Sequence, residues 1–230
     1  EKGLSKNSLD SYSRDLNLFL KYLDKSKIVL TNVTRAEIME FMSFRLSKGL
    51  SAKTVSRNLS VLKAFFGHLE SRNLIQRNPT KDIESPKLPR KLPNTLTEQQ
   101  INDLLDAPNE KTNLGFRDKT MIEALYSCGM RVSELLNLKL SDINFNQGVI
   151  RILGKGSKER IVPIGEELIS LLKNYIDLIR PELLKNVTED HLFLNSRGAG
   201  ITRQGFWLRI KDYCMKANID SSKISPHTLR

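Results

Sequence analysis

Residues 125–135 read Leu125-Tyr126-Ser127-Cys128-Gly129-Met130-Arg131-Val132-Ser133-Glu134-Leu135. The segment falls between two stretches of helical periodicity, and a glycine shortly before an arginine marks a turn that directs a guanidinium inward. Glu134, three residues after Arg131, is placed to orient it. A planar fork of donors suits two non-bridging phosphate oxygens. An ordinary Arg–Glu pair on a helix surface would read the same way, so this stretch alone leaves both readings open.

Further along, Gly148–Leu153 and Glu159–Ile164 alternate as strands do, and Gly154-Lys155-Gly156-Ser157-Lys158 joins them as a hairpin. Its glycines let Lys155 stand at the tip of a tight turn, flanked by Lys158 and Arg160. A lysine so placed can enter a groove and donate a proton; a solvated basic tip is the plainer alternative. The chain ends Ile224-Ser225-Pro226-His227-Thr228-Leu229-Arg230. Ser225 reads as an N-cap and Pro226 as the first helical residue. His227 and Arg230 then share one face of a helix N-terminus, where free N–H groups and the dipole favour a phosphate. His-x-x-Arg alone is common by chance. Together, Arg131, Lys155, His227 and Arg230 are four donors suited to one phosphate, with no carboxylate cluster for a metal. That set describes metal-free phosphoryl transfer, in which protein cations stabilise charge on the equatorial oxygens. A helix cut after about one turn implies a missing part, expected to hold the nucleophile.

The N-terminal stretch is helical by periodicity. Leu9, Tyr12, Leu16, Phe19, Leu20 and Leu23 form one apolar stripe. Thr34-Arg35-Ala36-Glu37 is a capping box, followed by Ile38, Phe41, Met42 and Leu46. Ser51 opens a third helix with Val55, Leu59, Leu62, Phe65, Phe66 and Leu69 inside. Asn78-Pro79 to Glu84 suggests a short fourth helix, giving a compact four-helix domain. Gly3-Leu4-Ser5 matches Gly49-Leu50-Ser51 at an offset of 46, which fits either a pseudo-repeat or two similarly capped amphipathic helices. Thr97-Glu98-Gln99-Gln100 is another capping box, opening a helix over 97–106. Further helices are expected from Arg117 to Ser127, near 166–179 and near 202–217, with a short strand at His191–Asn195. The organisation is therefore 1–84 helical, 85–96 linker and 97–230 mixed α and β, mainly α with a small sheet. In the linker, Ser85-Pro86-Lys87-Leu88-Pro89-Arg90-Lys91-Leu92-Pro93, three prolines and three basic residues favour a stiff, extended basic strap.

The chain carries 37 Lys and Arg against 26 Asp and Glu, a net charge of +11. Residues 1–96 hold 18 of those cations against 9 acids, so the charge is concentrated in the first part. That asymmetry points to a polyanion-binding module joined to a working module. Two cysteines cannot form a disulfide framework and fit a reducing cytosol, and three histidines argue against a His-based metal site. No apolar run approaches the ~20 residues that span a bilayer. Lys53, Thr54, Arg57 and Lys63, on or beside the polar face of the third helix, are candidates for a major groove. Thr202, Arg203 and Gln204 open a later helix and are candidates for backbone or base contact. An ordinary solvated face fits each set as well.

The three motifs, in this order, together with Ser85–Pro89 and Thr202-Arg203-Gln204-Gly205-Phe206-Trp207, resemble the tyrosine recombinases of the phage integrase family, of the bacterial XerC/XerD type. The resemblance runs nearly end to end. It implies an N-terminal helical core-binding (SAM-like) domain and a C-terminal α+β catalytic domain, closing on duplex DNA as a C-shaped clamp through the basic linker. It implies that Arg131 and Arg230 clamp the scissile phosphate, that His227 assists proton transfer, and that Lys155 protonates the leaving 5′-oxygen. A tyrosine would attack phosphorus to form a 3′-phosphotyrosyl link. In the family that tyrosine lies downstream of His-x-x-Arg. All five tyrosines here (Tyr12, Tyr22, Tyr126, Tyr175 and Tyr213) precede His227, so this chain is expected to bind DNA without cleaving it. The implied task is resolution of chromosome dimers in the cytoplasm, with no cofactor, a partner recombinase in a heterotetramer on two DNA sites, and a DNA translocase of the division septum. A mobile-element integrase and a non-catalytic DNA-binding regulator on the same scaffold are the alternatives.

Overall fold

The computed structural model describes residues 6–84, 95–154, 158–185, 188–221 and 224. The chain divides into two compact units, Glu1–Lys91 and Leu92–Arg230, each with its own core.

The first unit is built on three helices: α1 (Lys6–Lys25), α2 (Arg35–Ser47) and α3 (Ala52–Ser71). Phe19 of α1 holds them together. Its ring lies 5.1 Å from Phe41 of α2 and 6.0 Å from Phe66 of α3, both edge-on. Burying each such ring contributes about 1.5–3 kcal/mol, and the edge-on geometry adds to it. The α2 capping box forms as expected, with Glu37 accepting the Thr34 N–H at 2.7 Å. The apolar stripes are narrower than their periodicity suggests, since Leu9, Leu20 and Leu46 lie on the surface. The expected fourth helix is not formed. Asn78 Oδ1 accepts the N–H and hydroxyl of Thr80 at 2.9 and 2.7 Å. Longer turn bonds then run from Lys81 N–H to Asn78 O at 3.4 Å and from Ile83 N–H to Thr80 O at 3.3 Å. A side chain that closes a turn on its own backbone competes with the helix, and buried Ile83 fastens the result.

The second unit follows the order α4 (Glu98–Asp106), α5 (Asn113–Ser127), α6 (Val132–Leu136), β1 (Ile143–Asn144), β2 (Val149–Leu153), β3 (Glu159–Pro163), α7 (Glu166–Asn174), α8 (Arg180–Leu184), α9 (Arg203–Lys216). The sheet is an antiparallel meander, β1-β2-β3, pairing Ile150 with Val162 and Ile152 with Arg160. Ile150 and Ile152 point into a core shared with Met121, Leu125, Leu135, Leu168, Leu172, Phe193, Phe206 and Ile210.

Three sequence expectations need correction in this unit. First, α5 starts at Asn113, before Arg117, because Thr112 caps it by accepting the Gly115 N–H at 3.1 Å. Second, the helix expected over 166–179 is not uniform. It widens into a π-turn at Tyr175–Ile179 and resumes as α8, with Pro181 in its first turn. A proline there lacks a donor and crowds the carbonyl four residues back, and the wide turn absorbs both. Third, His191–Asn195 is not a strand. It makes isolated bridges, Lys139 with His191 and Leu194 with Gly200. Side chains take the place of a ladder. Buried Arg180 donates to the carbonyls of Glu189, His191 and Leu192, Arg117 donates to that of Leu194, and the Leu194 N–H donates to the Tyr175 hydroxyl.

Candidate active site and nucleic-acid interface

Cys128 caps the C-terminus of α5, and Gly129 follows with φ +54, a left-handed turn that only glycine enters at no steric cost. Met130 and Val132, both buried, fix the chain on either side of Arg131. Arg131 is thus the extended residue just before α6, its side chain 45% exposed. Glu134 sits in the first turn of α6 with its side chain only 4% exposed. Its Oε2 accepts the Arg131 backbone N–H at 2.8 Å and its Oε1 accepts the Arg131 guanidinium at 2.7 Å.

The same carboxylate takes a second guanidinium. Arg160, on the inward face of β3, donates to Oε1 at 2.9 Å and to Oε2 at 2.7 Å. Burial alone would push the Glu134 acid up. The hydrogen bonds from Arg160 and from the backbone and side chain of Arg131 outweigh it and hold the acid down at about 2. The Arg160 guanidinium is raised in turn, chiefly by its bonds to Glu134. Gly154, the last residue before Lys155, lies against this junction. A Cβ there would stand 3.6 Å from an Arg160 nitrogen and 3.8 Å from Glu134 Oε1. The root of the hairpin and the start of α6 therefore meet at one carboxylate.

Of the residues expected to act on a phosphate, Arg131 stands just before α6, bonded to Glu134 and half exposed where an inward guanidinium was expected. Lys155, His227 and Arg230 lie outside the described residues, as do the Ser225-Pro226 cap and most of the linker. Ile224, just before Ser225, is buried in the core that also holds Met130 and Val132.

The DNA-contact candidates divide. Lys53 is exposed and Lys63 half-buried, with no ion-pair partner among the described residues. Thr54 belongs to the start of α3, its hydroxyl 3.0 Å from that of the cap Ser51. Arg57 is not free to read a groove with its whole fork. It donates to Ser11 Oγ at 2.7 Å and to Asp15 Oδ1 at 3.1 Å, pinning α3 to α1, and Asp15 is buried. Thr202 caps α9 by accepting the Gly205 N–H at 3.1 Å, leaving Arg203 and Gln204 exposed in the first turn.

α9 is anchored by a network that the sequence did not reveal. Buried Asp118 of α5 accepts from Arg117, from Arg209 of α9 at 3.0 Å and from the Tyr213 hydroxyl at 2.7 Å. Adjacent opposite charges on a helix do not normally face each other, so Arg117-Asp118 carries no local signal of this network. The Arg160–Glu134 link was also missed, though one signal existed. Arg160 shares strand parity with Val162, and an arginine at an inward position needs a carboxylate.

The tyrosines are placed for structure in most cases. Tyr175 is fully buried and its hydroxyl is pushed up to about 12, chiefly by burial. Tyr213 is raised as well, by burial and by Asp118. Tyr12 and Tyr22 belong to the first unit, and Tyr126 lies exposed on α5. Cys128 and Cys214 are free and buried. Among the described residues there is no cluster of metal-ligating side chains and no helix long and apolar enough to cross a membrane.

Comparison with known proteins agrees with this architecture. Residues 94–230 match the phage integrase family and residues 1–73 match the phage integrase N-terminal SAM-like domain. The chain belongs to the phage integrase family, the tyrosine site-specific recombinases. Among individual proteins, tyrosine recombinase XerD of Proteus mirabilis is 46% identical over 230 residues, covering all of this chain and 74% of that protein. XerD of Pasteurella multocida (strain Pm70) is 42% identical, with 77% of its length covered. Among solved structures, the XerH site-specific recombinase bound to palindromic difH substrate, in a post-cleavage complex, superposes with a TM-score of 0.78 at 25% identity, covering 96% of this chain and 66% of that one.

Proposed function

We propose that this chain binds a short, roughly palindromic duplex site and belongs to a machine that cuts and rejoins DNA there through a 3′-phosphotyrosyl intermediate. Arg131, with Lys155, His227 and Arg230, closes on the scissile phosphate. Lys155 delivers the proton to the leaving 5′-oxygen and His227 assists proton transfer. No cofactor enters this scheme. Lys53, Lys63, Arg203 and Gln204 contact the duplex, and Thr54 and Thr202 support them from the helix starts. Arg57 serves by holding α1 and α3 in place. The observation that carries the reading is the junction at Glu134, which holds the exposed guanidinium that precedes α6 beside the hairpin that bears Lys155.

The XerD relatives favour chromosome dimer resolution over integration of a mobile element. The partners are then a second recombinase, in a heterotetramer on two DNA sites, and a septal DNA translocase. None of the five tyrosines matches the family's nucleophile, so the 230-residue chain holds DNA without joining to it.

The test is selection of duplexes from a randomised pool, followed by incubation of the winner, nicked near its centre, with the chain. A palindromic winner, weakened by Arg131→Ala and giving no covalent adduct on a denaturing gel, is the expected result. Failure to enrich any site overturns the reading. A covalent adduct would overturn the assignment of the nucleophile outside these tyrosines.

A further inference from the structure

The Glu134 carboxylate has four acceptor sites and receives four donors: two from Arg160, one from the Arg131 guanidinium and one from the Arg131 backbone. It is saturated. A guanidinium has five N–H donors. Arg131 is bonded to Glu134 through one terminal nitrogen, its guanidinium makes no other hydrogen bond among the described residues, and its side chain is 45% exposed. Arg160 is committed in the opposite sense, both its terminal nitrogens facing the two carboxylate oxygens.

We infer that Arg160 is a positioning residue whose work is to occupy Glu134, so that Arg131 keeps its fork for a phosphate. This rests on the function proposed above and adds a residue to that same site. Without Arg160, the nearest cation to a buried carboxylate is Arg131. A carboxylate and a guanidinium left to themselves pair bidentately. Arg131 would turn its second terminal nitrogen to Oε2, and the phosphate would meet a guanidinium already spent on an acid. The hairpin has the same dependence, since Gly154 packs against Arg160 and Glu134 and the orientation of the strand that precedes Lys155 is set there. Arg160 thus links β3 to α6 through one acid.

The experiment uses the selected duplex, with neutral methylphosphonate replacing one phosphate at a time. The phosphate that Arg131 touches is the position where substitution weakens the native chain, roughly tenfold for a charge-assisted bond, but hardly affects Arg131→Ala. Arg160→Ala is expected to lose most of that tenfold sensitivity at the same position and at no other. Adding Glu134→Gln to Arg160→Ala is expected to restore it, because an uncharged amide no longer draws Arg131 away. A purely structural role for Arg160 would make the double variant worse. Arg160→Lys, which offers one point charge in place of a fork, should fall between and carries the test if the alanine variant does not fold. If no phosphate couples to Arg131, the proposed function itself fails. If one does, and Arg160→Ala leaves that coupling intact or Glu134→Gln does not restore it, the function stands and this inference falls.

Discussion

At the scale of single residues, Glu134 and Asp118 are the two acids on which the second unit depends. The Glu134 acid lies at about 2 against an ordinary value of 4.5. A depressed carboxylate stabilises the fold above its unfolded value, and that stabilisation disappears as pH falls through the folded one. Glu134→Gln should therefore lower stability by about 2 kcal/mol at neutral pH, somewhat less than the full shift implies, because Arg131 is 45% exposed and screened by water. The gap between native and variant should close between pH 4.5 and about 2, as read by denaturant titration across that range. Asp118 is the graver loss. Asp118→Ala leaves Arg117 buried without its acid, at a cost of about 3–5 kcal/mol, which a melt of the second unit would register. Glu134 was legible in the sequence because it follows Arg131 by one helical turn. Asp118 was not, since its partners Arg209 and Tyr213 lie on a helix more than ninety residues away.

Elements were legible where a local signal and the tertiary outcome agree. The capping boxes at Thr34 and Thr97 and the β2–β3 hairpin carry such signals and appear where expected. The errors arise where side chains do the work of backbone. Asn78 closes a turn in place of a helix, and Arg180 and Arg117 satisfy carbonyls that a strand would have paired. Gly115 gives a prediction at this scale. Alanine in a helix is ordinarily favoured over glycine by up to about 1 kcal/mol. Here a Cβ would overlap the Asn109 carbonyl oxygen, so Gly115→Ala should instead destabilise, by about 1–3 kcal/mol, in a thermal melt.

At the scale of the whole molecule, charge separates what binds from what holds. Net charge of +11 predicts affinity for duplex DNA that falls steeply with salt. Lys53→Ala and Lys63→Ala should each reduce the slope of log affinity against log salt by about 1 and leave the melting curve unchanged. Arg57→Ala should do the reverse in part. It breaks the α1–α3 tie and leaves Asp15 buried without its cation, lowering the stability of the first unit by about 1 kcal/mol or more. Comparing the salt slopes and melts of these variants sorts contact from scaffold.

The sheet ends at β3, and among the described residues no strand pairs with its outer side. An open edge invites another chain to add itself, and exposed Ile161 in its middle is the kind of residue that rewards the addition. The strand is guarded at both ends. Exposed Glu159 places charge at one, and Pro163, which has no N–H to offer, closes the other. The hairpin that bears Lys155 thus also carries its own protection against aggregation.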